Sequence, residues 1–228
     1  MIKVPNNGSQ NNPIKMKYSV KEERINSLSH AAGIVLGVVA GYFLLQKARL
    51  NPDPFAIGSI IVYLCGMLSS YIASTCYHGT LHRKKKAKLR KFDHAAIYLH
   101  IAATYTPFTL LAMREYGFWG WGIFILVWLS AIVGVILSYT NLKEHSNLET
   151  ISFVAMGCSI LVAMKPLMDS LTAADALSSF WWLIAGGVSY IVGAVFYSLP
   201  RIKYMHCTFH VFCLGGSICH IVAIWLIL

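Results

Sequence analysis

The chain has 228 residues, 57% of them apolar and only 12% charged, with a mean hydropathy of +0.59. A soluble domain of this length carries roughly twice that charged fraction, so a water-facing globular enzyme is excluded. The net charge of +10 would point to nucleic acid in a soluble protein, but here the cations fall between apolar stretches and membrane topology accounts for them, so no nucleic-acid partner is expected.

Residues 1–20 read as a polar tail rich in Asn and Lys. The tail has no apolar core of a signal peptide, so the first span should serve as an uncleaved insertion signal. Residues 21–228 read as one membrane domain. Uncharged runs cover 25–46, 54–82, 94–113, 116–142, 176–200 and 204–228, each sufficient for a helix that needs about 20 residues to span. A shorter run at 150–164 extends to Met168 if Lys165 reaches its ammonium to the interface. The expected fold is all-α: an integral membrane bundle of seven helices near 22–46, 55–81, 92–113, 117–140, 148–166, 176–199 and 203–227. Asn51-Pro-Asp-Pro should form the first turn, and Lys165-Pro166 should open a loop containing Asp169 and Asp175. The Gly33/Gly37/Gly41 stripe suits close helix packing in lipid, either within the bundle or in a dimer, with burial inside the bundle preferred.

With seven spans, fifteen of the nineteen Lys and Arg residues lie on the side of the N-terminus, seven of them in the run 83–91. The positive-inside rule then makes the N-terminus cytoplasmic and places the C-terminus outside. The same run would attract anionic headgroups, making membrane lipids the expected partners. Six cysteines fall within the spans at no paired spacing, reading as small buried residues rather than a disulfide framework.

Polar residues inside the spans can be assigned a depth and a face. His78 lies near the cytoplasmic end of the second helix, with Ser74 one turn deeper on the same face. Asp93, His100 and Thr104 form a stripe on the third helix, and Asp93 either caps that helix or serves a site. His206, His210, Cys213 and His220 share an arc of the seventh, while Glu23, Asn26 and His30 stand at the cytoplasmic start of the first. Ionisable groups in a bilayer are costly and mark functional sites. Three imidazoles at one depth, two of them at i, i+4, are the ligand set of a catalytic zinc site, so His78, His206 and His210 are the expected ligands of Zn2+. Asp93 and Ser74 would then orient water or back up the ligands. His100 and His220 read as packing residues, His82, His94 and His145 as solvated ones, and Glu23 as a cap or a partner of Arg24 or the basic run.

Four segments resemble the bacterial hemolysin III proteins, members of the progestin and adipoQ receptor family. They are E-E-R-I-N-S-L-S-H (22–30), S-T-C-Y-H (74–78), F-D-H-A-A-I-Y-L-H-I-A-A-T-Y-T-P-F (92–108) and H-C-T-F-H-V-F-C-L-G-G-S-I-C-H (206–220). The resemblance covers nearly everything after residue 20. It implies seven helices with an intracellular N-terminus in the bacterial inner membrane. It also implies zinc held by His78, His206 and His210, with Ser74 and Asp93 close to a metal-bound water. Glu23, Asn26 and His30 match the family's first motif, whose role is less defined.

Three functions compete. A zinc hydrolase of lipid-derived amides would use Asp93 as general base, with Ser74 helping to hold the water or an oxyanion. A pore-forming, cytolytic protein is what the hemolysin name implies, yet a conduit needs polar lining along its length, and the outer half of the bundle supplies little. A receptor-like regulator of membrane state would use zinc as a structural pin.

Overall fold

The computed structural model describes residues 18–140, 147–199 and 201–228. They form α1 (Val20–Leu50), α2 (Ala56–Gly79), α3 (Arg83–Pro107), α4 (Trp119–Tyr139), α5 (Asn147–Gly157), α6 (Met164–Ala173), α7 (Leu177–Tyr197) and α8 (Met205–Ile227). A π-helical turn, Phe108–Ala112, prolongs α3, and a 3-10 stretch, Cys158–Ala163, joins α5 to α6. This gives seven helices long and apolar enough to cross a membrane, with α3 plus its π turn as the third and α5 through α6 as the fifth.

Local chemistry sets the helix starts. Ser19 and Glu22 make a reciprocal capping box on α1, and Glu22 and Glu23 sit at the positive end of its dipole. The third helix begins nine residues before its expected start at 92, with His82 Nδ1 accepting from the Lys85 N–H at its head. The basic run is thus helical, in keeping with the good helix propensity of Lys and Arg and the lack of any Gly or Pro there. Asp93 therefore lies well inside α3, and the capping role considered for it is ruled out. The expected loop at Lys165-Pro166 is helix instead. Pro166 falls in the first turn of α6, where a missing N–H costs nothing, and Lys165 pairs with Asp169 at 2.6 Å one turn on.

Consecutive helices pack as neighbours, and α8 closes the bundle against α1 and α7. One apolar core gathers Tyr98, Tyr105, Met113, Val127 and Leu167 between α3, α4 and α6. The other gathers Leu44, Tyr63, Met67, Phe108 and Ile224 between α1, α2 and α8. The outside is apolar as well: Val35, Val38, Val39 and Phe43 of α1 and Leu129 and Val133 of α4 are exposed, as a bilayer allows. The glycine stripe of α1 is spent within the bundle, because a Cβ on Gly33 would overlap the Tyr71 ring of α2 and one on Gly37 would press on Leu68. The six cysteines are free thiols.

The two ends of the bundle differ. At one, Arg114 grips Asp53 through two hydrogen bonds of 3.0 and 3.1 Å, and Lys47 donates to the Trp225 carbonyl. At the other, the beginnings of α1 and α8 meet the end of α2 and the early turns of α3, and there the histidines gather.

Candidate metal centre

His78 ends α2, whereas His206 and His210 lie one turn apart at the start of α8. Their Nε2 atoms converge: His206 Nε2 is 3.0 Å from His78 Nε2 and 3.1 Å from His210 Nε2. His78 and His210 are each 1% exposed, and among the described residues these three histidines are the group able to hold a metal ion.

The partners on the far side of the rings fix which nitrogen carries hydrogen. His78 Nδ1 lies 2.8 Å from Glu23 Oε2, whose carboxylate also receives Lys86 Nζ at 3.0 Å, so Nδ1 donates. His210 Nδ1 lies 2.9 Å from Ser29 Oγ and 3.2 Å from the Asn26 carbonyl. Ser29 already donates its only hydroxyl hydrogen to that carbonyl at 2.8 Å, so it can only accept from His210. Both rings, when neutral, must therefore aim an Nε2 lone pair at the third imidazole. Two lone pairs converging on His206 Nε2 can be satisfied by a cation held between the three rings or by a hydrogen on that nitrogen. Tetrahedral zinc with bonds near 2.05 Å separates its ligand nitrogens by about 3.3 Å, within a few tenths of the spacing found. The residues fit a metal ion.

Asp93 is buried on α3 beside this group, with the Ser74 hydroxyl as its hydrogen-bonding neighbour and His78 within electrostatic reach. From α1, His30 lies over His210 with ring centroids 3.5 Å apart, and neither His30 nitrogen has a partner within the protein. The Asn26 side-chain amide is equally unpartnered, so its main-chain carbonyl is the part that reaches the site. Tyr18 stacks on His206 at 5.0 Å and Tyr197, the last residue of α7, approaches it at 5.5 Å, so two aromatic rings cover the histidine. Burial pushes the Tyr18 phenol up, keeping it protonated.

All eight residues singled out in the sequence, namely Glu23, Asn26, His30, Ser74, His78, Asp93, His206 and His210, occupy this one end of the bundle. Sequence reasoning missed Ser29 and Tyr18, whose types and spacings carry no chemical signature, whereas the expected pairing of Glu23 with the basic run is made by Lys86. His94 is not simply solvated: its Nδ1 pairs with Glu149 at 2.8 Å, linking α3 to α5. His82 heads α3, and His145 lies outside the described residues. His220 bonds the Leu183 carbonyl at 3.3 Å, and His100 sits against Tyr71 and Tyr190, both in packing roles. Cys213 is buried without joining the ligand group.

Seven spanning helices around an interior histidine cluster define a multi-pass integral membrane protein. The family described as haemolysin-III related matches residues 18–221. Hemolysin-3 of Bacillus cereus is 36% identical over 203 residues, covering 89% of this chain and 90% of that protein. The Hemolysin-3 homolog of Bacillus subtilis (strain 168) is also 36% identical, over 200 residues and 88% and 91% of the two chains. The chain belongs to the hemolysin III family.

Proposed function

We propose that this protein holds Zn2+ on His78, His206 and His210 at the cytoplasmic end of the bundle and hydrolyses an amide or ester bond of a membrane lipid. The convergence of three Nε2 atoms, two with their tautomer fixed from behind, is the observation that carries this reading. The cytoplasmic assignment is supported by the concentration of Lys and Arg at the same end, including the run 83–91. A zinc ion on three imidazoles leaves a position open, polarises a carbonyl and lowers the pKa of a water to about 7.

The residues around the imidazoles supply the rest. Asp93, buried with Ser74 as its neighbour, would orient a water and accept its proton. Tyr18 and Tyr197 restrict access from the aqueous side, which suits a substrate arriving from lipid. The opposite half of the interior is filled by Met67, Phe108 and Ile224, which favours a closed site over a conduit along the bundle axis.

Metal analysis of the purified chain followed by a screen of ceramide-like and acyl-amide lipids tests the proposal. One zinc per chain and metal-dependent release of fatty acid are expected. A zinc-loaded, folded protein inert towards every such lipid would remove the hydrolase reading, and the lack of bound zinc would remove the site.

A further inference from the structure

We infer that Glu23 is a positioning residue for the ligand set: from a helix that provides no ligand, it holds the His78 ring so that Nε2 faces the metal. The inference rests on the metal-site reading above. His78 is the penultimate residue of α2, beside Gly79, where the helix gives out, so the backbone alone holds the ring weakly. Glu23 Oε2 accepts a hydrogen bond from Nδ1–H at 2.8 Å, with both side chains almost wholly inaccessible to solvent. Lys86 of α3 meets the same Oε2 at 3.0 Å while donating to the Tyr77 carbonyl at 2.9 Å and the Thr80 carbonyl at 3.3 Å. The ammonium also lies 4.4 Å from the centre of the Tyr77 ring. One carboxylate from α1, the last carbonyls of α2 and one ammonium from α3 thus form a clasp across three helices. A buried carboxylate in a bilayer is retained only where it is paired; here the pairing sets an imidazole's tautomer and direction, the role that outer partners play for metal-bound histidines.

The test is a Zn2+ titration of the metal-stripped full-length protein against a chromophoric chelator, with Co2+ absorption as a second readout. Glu23→Ala should weaken Zn2+ binding by about 10–100-fold. Glu23→Gln keeps an acceptor at the same reach and should recover most of the affinity and the tetrahedral Co2+ band. Glu23→Asp keeps the charge but withdraws the carboxylate by one methylene, and should bind more weakly than Glu23→Gln. Unchanged affinity in Glu23→Ala, or tighter binding by Glu23→Asp than by Glu23→Gln, overturns the inference. Should Glu23→Ala fail to fold, the order of the other two decides. An unaltered protein that binds no Zn2+ overturns the metal site itself, whereas binding indifferent to residue 23 overturns this inference alone.

Discussion

The Tyr105 hydroxyl donates to the Gly157 carbonyl at 2.7 Å and receives the Ile160 N–H at 2.9 Å. α-Helical hydrogen bonding lapses between α5 and α6, and a phenol from α3 stands in for the missing backbone partners. Inside a bilayer no water can do so. Tyr105→Phe leaves a donor and an acceptor bare, and is expected to cost about 1–3 kcal/mol, read as a lower midpoint of thermal unfolding in detergent. A midpoint equal to that of the parent protein would show that the break is satisfied some other way.

Asp93→Asn should separate chemistry from metal binding. The carboxylate is outside the imidazole group, so zinc content should stay at the unaltered level. Hydrolysis should fall by about 10²–10⁴-fold, the usual worth of a general base. Loss of zinc together with activity would instead make Asp93 a ligand.

Metal removal should lower stability through mass action. Ligand at a hundred times its dissociation constant stabilises by about 2.7 kcal/mol, so chelation should reduce the unfolding midpoint and added Zn2+ should restore it. His206→Ala should abolish this response. A zinc-dependent shift that survives in the variant would place the ion elsewhere.

Asp53 and Arg114 give a pH dependence at the opposite end. Burial alone would raise the Asp53 carboxyl, but the Arg114 guanidinium and the Phe55 N–H hold it below its ordinary value. Its contribution is therefore complete above the unfolded pKa, about 4, and is lost as pH falls through the depressed folded value. Between pH 5 and 3, Asp53→Asn should flatten the fall in unfolding midpoint; parallel curves would count against the pair. An ordinary carboxylate completes most of its titration within roughly one unit of pH 4.

Much of the site was legible because a helix repeats. His206 and His210 at i, i+4 must share a face, and counting spans put His78 at the same depth. The partners behind the rings were not, since which side of α1 meets α2 depends on rotations fixed only by packing; Glu23 was recognised without its acceptor role toward His78. The density of charge at 83–91 suggests a connection between spans, yet Lys and Arg favour helix, so α3 starts at Arg83 and Asp93 falls too deep to cap it. Proline usually ends a helix, which suggests a loop at Lys165-Pro166, but in the first turn of α6 it is tolerated.

The tight seat of Tyr71 and Leu68 on Gly33 and Gly37 bears on self-association. Small-residue seams let two membrane helices from separate molecules touch closely, and in this protein that seam is already sealed by its own second helix. What α1 still offers to a second copy is a bulky apolar rim that includes Val35, Val38 and Phe43, a lipid-like surface with little geometric selectivity.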